Sequence, residues 1–144
     1  VFCEDEDDAM LMGKSMAAGY YEYSPMLVDN LAIPWNGPHP DELKKQGLVW
    51  PDFHHAANLI ESGKAVDFMS ENLAKAFCLM GDVNQIVTQI TEILKKCEKA
   101  GIEFEYVVLH PIPNPPVPDN GPEAYLEKIP REVISQVKEN LAIV

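Results

Sequence analysis

Positive charge is scarce in this sequence. Only 11 Lys and Arg stand against 23 Asp and Glu among 144 residues, a formal net charge of −12 at neutral pH. The longest basic runs are the pairs Lys44-Lys45 and Lys95-Lys96. Affinity for nucleic acid comes largely from clustered cations that neutralise phosphates, so nucleic acid is a poor partner, and an anionic membrane surface equally so. Long apolar runs are missing too: no stretch approaches the ~18 residues that a bilayer span needs. The acidic start Glu4-Asp5-Glu6-Asp7-Asp8 is the reverse of the basic opening of a secretory signal. These features point to a cytoplasmic protein.

Cysteine is also thin. Cys3, Cys78 and Cys97 form no C-x-x-C pair, and an odd count makes a poor disulfide framework, so they read as buried thiols. The histidines His39, His54, His55 and His110 are scattered except for one adjacent pair. Neighbours on a helix point about 100° apart, so His54 and His55 cannot easily share a metal, and no metal site is expected. What remains is a folding composition. With 47% hydrophobic and 24% charged residues the chain lies outside the range of disordered segments, at the size of one modest domain.

Along the chain, Val1 to Cys3 look like the end of a buried strand, and the acids that follow suit a helix N-terminus facing the positive end of the macrodipole. Apolar residues near helical spacing, from Ala9 to Tyr21, predict a helix over about Asp5 to Tyr23. Ser24-Pro25 opens a short helix to about Leu31. Residues 33–51 form a proline-rich insertion loop, because Pro34, Pro38 and Pro40 with Gly37 stop both helix and central strand, with one helical turn over Asp41 to Lys45. Two helices are expected between Pro51 and Phe77, separated at Ser62-Gly63.

The most informative stretch follows. Phe77-Cys78-Leu79-Met80 is a short apolar run that stops at Gly81, the length of a strand buried on both faces. Asp82 with Gln85 three residues later makes a capping-box start, and Val83, Ile86, Val87, Ile90, Ile93, Leu94 and Cys97 give a helical stripe that ends at Gly101. Ile102, Phe104 and Tyr106 then alternate, and Val107-Val108-Leu109 continue to His110-Pro111. Strand, helix and strand in one short span demand a parallel sheet with a right-handed crossover, hence an α/β fold. A proline-rich loop from Ile112 to Pro122 and a last helix, starting near Glu123 and interrupted at Pro130, close the chain.

This unit, Ala76 to Val83 with Lys99-Ala100-Gly101-Ile102 and Phe104 to Leu109, resembles the C-terminal end of the bacterial luciferase-like oxidoreductases, which are flavin- or coenzyme F420-dependent TIM barrels. Ile129-Pro130-Arg131-Glu132-Val133-Ile134 looks like that family's last helix. Among its members the methylenetetrahydromethanopterin reductases are nearest. The resemblance implies a helix-rich C-terminal portion of a (β/α)8 barrel with two or three short parallel strands. All of 1–144 then forms a single domain, with Val1 to Cys3 as the end of the sixth strand. A whole barrel takes ~250 residues, so the chain is expected to be part of a longer protein, in keeping with its Val1 start. Gly81-Asp82 departs from the family's usual Gly-Thr.

The resemblance further implies hydride transfer by a bound cofactor, coenzyme F420 or alternatively FMN, acting on a small-molecule substrate in a homo-oligomer, with the isolated piece not expected to be active alone. In a parallel barrel the reactive edge is the C-terminal end of each strand. That selects Gly81, where backbone can approach a ligand, Asp82 at a helix N-terminus, and His110, an imidazole able to donate or accept, as candidate cofactor-binding residues. Asp82 equally fits a plain helix cap, and His110 a loop anchor. No catalytic residue is assigned. The alternative is a mostly α, non-enzymatic binding or oligomerisation module.

Overall fold

The structure, a computed structural model, describes residues 1–110 and 126–142. It is helix-rich. The first helix, α1, spans Glu6–Tyr23, with the Asp5 carboxylate accepting the Asp8 N–H as its cap. Ala9, Met12, Met16, Ala17 and Ala18 are buried along it, and it is the hub of the larger core. Pro25–Asp29 (α2) and Pro40–Lys45 (α3) follow, both with proline in the first turn, where its missing N–H costs nothing.

The helices between Pro51 and Phe77 differ from expectation. Leu59–Lys64 (α4) is capped by Asn58 and contains Ser62 and Gly63, while Glu71–Phe77 (α5) is capped by Ser70. Gly63 is not a break. A Cβ there would sit 2.1 Å from the Leu11 carbonyl oxygen, so glycine lets α4 press against α1. Phe53, expected on a helix, is buried in a turn ahead of Asn58.

Val83–Lys99 (α6) begins with the expected capping box: the Asp82 carboxylate accepts the Gln85 N–H, and the Gln85 side-chain oxygen accepts the Asp82 N–H. Gly101, at φ +70°, ends the helical run. The last helical stretch does not break at Pro130. Its backbone widens into a π-helical segment, Ile129–Ile134, and continues as α7, Ser135–Asn140. The expected loop over Ile112 to Pro122, and the start of the last helix near Glu123, lie outside the described residues.

The two or three parallel strands reduce to one contact. Among the described residues the only ladder is a single parallel bridge between Phe2 and Gly81. Gly81 N–H donates to the Val1 carbonyl at 3.1 Å, and Cys3 N–H donates to the Gly81 carbonyl at 3.0 Å. Residues 102–109 form no strand, and Ile102, Phe104, Tyr106, Val107 and Val108 are exposed. A strand exists only by pairing, and among the described residues no backbone pairs with this segment. The bridge is sandwiched: Cys3 and Met80 belong to the core around α1, α4 and α5, whereas Phe2 and Leu79 pack with Ile86, Ile90, Ile129 and Val133 in a second core.

Candidate functional site

Both bridged segments run directly into a helix, Val1–Cys3 into α1 and Leu79–Gly81 into α6, so Gly81 and Asp82 sit at a strand-to-helix turn beside Cys3. Gly81 has φ +123°, a conformation that L side chains rarely adopt. Its missing Cβ makes room for the chain itself: a methyl there would lie 2.1 Å from Gln85 Oε1. The Asp82 carboxylate is spent on its own helix cap. Gln85 also donates from Nε2 to Glu6 of α1, tying the two helix starts together.

A groove of about 650 Å³ opens here, lined by Glu6, Asp7, Met80, Gly81, Gln85 and Gln89 among others. Glu71 and Glu92 add further negative charge, with Lys75 and Lys96 opposing it. His110 lies elsewhere. It is exposed and borders a second cavity of about 200 Å³, whose walls include Val1, Phe2, Leu79, Ile86 and Ile129. The structure therefore keeps Gly81 and Asp82 together and sets His110 on a different cavity. Among the described residues no group of three or more His, Cys, Asp or Glu is placed to hold a metal ion. Burial pushes the Cys78 thiol up to about 11, which removes it as a nucleophile near neutral pH.

Sequence reasoning missed a polar cluster where the C-terminal end of α1 meets the turn at 52–55. The buried Asp52 carboxylate accepts the His54 and His55 N–H groups, both at 2.9 Å, and holds His55 Nδ1 at 2.9 Å. Burial pushes the Asp52 carboxyl up, but the hydrogen bonds from His55 and Tyr23 outweigh this and hold it below the usual carboxylate range. His54 Nε2 meets the Met16 carbonyl at 2.9 Å, its ring edge-on to Tyr20 and stacked near Tyr23. Burial lowers the His54 pKa, so the ring favours its neutral form. Glu22, nearly buried, pairs with Lys44 of α3, whose pKa that bond raises, and accepts the Phe53 N–H. The legible signal was Asp52 placed two and three residues before the histidines, the spacing of an Asx turn.

Compared with known proteins, the chain matches no family model, no curated protein and no solved structure. Among the described residues, no helix is long and apolar enough to cross a membrane.

Proposed function

We propose that this chain is the C-terminal part of a cytoplasmic oxidoreductase of the luciferase-like superfamily, similar to the methylenetetrahydromethanopterin reductases, in which hydride passes between coenzyme F420, or FMN, and a small-molecule substrate. The observation that carries the proposal is the parallel Phe2–Gly81 bridge, with each strand feeding its own helix. Parallel strands of one sheet joined through helices are the repeating unit of a (β/α)8 barrel, and Gly81 and Asp82 stand at the strand end where such barrels place ligands.

The described residues do not by themselves fit such a cofactor. The cavity at His110, about 200 Å³, is below the ~300 Å³ at which small-molecule sites begin. The larger groove carries four carboxylates against two lysines, the wrong balance for a phosphate-bearing ligand. Asp82, an anion at the start of α6, disfavours a second anion there. The cofactor site therefore needs further strands.

A non-enzymatic helical module is the alternative, favoured by the helix-rich fold, in which the described residues hold a single bridge. Two measurements separate the readings. The native product in its source cells should exceed 16.1 kDa, the mass of this chain, and a native mass of 16.1 kDa would overturn the barrel proposal. Coenzyme F420 or FMN fluorescence should respond to the full-length product, and a full-length product that leaves both unchanged would favour the module.

A further inference from the structure

The cavity beside His110 is too small for a flavin-sized cofactor, yet its walls are those of a site for something smaller. It lies where the two cores meet: Met16 and Phe77 belong to the core around α1, and Phe2, Ile86 and Ile129 to the second. Size sets the class of ligand. An apolar cavity of ~150 Å³ holds benzene and sites for drug-sized molecules start near ~300 Å³, so about 200 Å³ takes one ring and little more.

Wall chemistry narrows the class. Three rings, Phe2, Tyr20 and Phe77, and two sulfurs, those of Met16 and Cys78, border the space. Tyr20 and Phe77 are stacked on each other with centroids 5.3 Å apart, which fixes the faces they offer. Aromatic rings and polarizable sulfur both attract an aromatic ligand beyond what its apolar area alone would gain. The Val1 ammonium at the margin is already bonded to the Leu79 carbonyl. No charge is left unspent in the described walls at neutral pH, so an ionised ligand would give up its hydration without a partner, and the ligand is neutral. Two polar groups do remain. The Tyr20 hydroxyl and the His110 imidazole both belong to residues that border the cavity, and neither makes a hydrogen bond among the described residues. Phenolic O–H and imidazole can each donate or accept, so together they can answer one hydroxyl whichever way its proton points.

We infer that this cavity is a binding site for a neutral, single-ring aromatic molecule bearing one hydroxyl, a phenol, with its ring among Phe2, Tyr20, Phe77 and Met16 and its hydroxyl answered by Tyr20 and His110. The site goes beyond the oxidoreductase proposal and does not rest on it. Phenol binding to this chain, with coenzyme F420 and FMN both ignored by the full-length product, would keep the site and sink that proposal; a cofactor response without phenol binding would do the reverse.

The test is titration of the 144-residue chain with phenol, followed through methyl resonances. The methyls of Met16, Ile86 and Ile129 should shift saturably with one ligand per chain and a Kd below about 1 mM, the range open to so small a ligand. Leu59 and Val66, buried in the core around α1 but absent from the cavity walls, should stay still. No saturation by about 10 mM phenol, or equal shifts through both cores, would overturn the inference. The hydroxyl is read by the double variant Tyr20→Phe with His110→Ala, which keeps the tyrosine ring and alters an exposed histidine. It should raise the Kd of phenol by about three- to tenfold, the effect of a lost hydrogen bond, and leave that of benzene as it was. An equal change for both ligands, or none for phenol, would overturn the place given to the hydroxyl.

Discussion

The hydroxyls of Ser15 and Ser62 lie 2.6 Å apart in the interior, joining the middle of α1 to α4. Two hydroxyl protons serve three contacts: Ser15 donates to the Phe53 carbonyl at 2.8 Å, Ser62 faces the Leu59 carbonyl at 3.2 Å, and the two oxygens share the contact between them. One side chain thus fixes both the α4 contact and the turn that carries Asp52. Ser15→Ala strands a buried carbonyl and should cost ~1–3 kcal/mol in urea denaturation. The double variant with Ser62→Ala should cost less than the sum of the two singles, since both break one network. Strict additivity would show that the hydroxyls act separately.

Gly63→Ala tests the same contact through sterics. The new methyl meets the Leu11 carbonyl oxygen, a backbone atom that cannot rotate away. We expect a loss of ~1–3 kcal/mol, the range of an overpacked core, although alanine is the better helix former. A stabilised Gly63→Ala protein would mean that α1 and α4 do not approach as described.

Acid should weaken the fold in two stages. The His54 pKa lies below its ordinary value of 6.5, so as pH falls through that value the unfolded chain binds the proton first, and stability present above it drains away. The Asp52 carboxyl is also lowered, so its contribution is complete above about its ordinary 3.8 and is lost as pH falls further. Urea midpoints measured from pH 7.5 to 5 should fall in the wild type and stay flatter in His54→Phe, which cannot take the proton. Equal slopes in both proteins would remove His54 as the cause.

At the strand-to-helix turn, Gly81→Ala places a side chain in a left-handed conformation and against Gln85. A cost of ~1–3 kcal/mol is expected from backbone strain. Asp82→Ala, losing only the cap, should cost ~0.5–2 kcal/mol. Thermal denaturation followed by circular dichroism distinguishes them, and a Gly81→Ala protein as stable as wild type would show that the turn relaxes freely.

Features written into adjacent residues were legible in the sequence. The capping box at Asp82 and Gln85, the long first helix and the stop at Gly101 all depend on spacings of a few positions. Others depend on what a residue meets across the fold. Ser62-Gly63 has the composition of a breaker, but its glycine serves an interhelical contact. The alternation at 102–109 signals a strand, yet pairing needs a partner that the described chain does not lay beside it. At Asp52 only the Asx turn with His54 and His55 is local; Glu22, Tyr23 and Lys44, which complete the cluster, lie well away along the chain, so no short pattern announces the whole.

The proline-rich loop has an optical consequence. Trp35 is pinned by its Nε1 donating to the Pro38 carbonyl at 2.7 Å, with Tyr21 and Phe68 rings 4.6 Å and 5.4 Å from its own. Trp50, the other of the chain's two tryptophans, is 83% exposed. The molecule therefore carries two separate fluorophores. Trp50 emits from water at longer wavelength and is open to collisional quenching by acrylamide, while the half-buried Trp35 emits further to the blue and is quenched less. Any event that lifts the loop away from α1 would show first as a red shift of the Trp35 component.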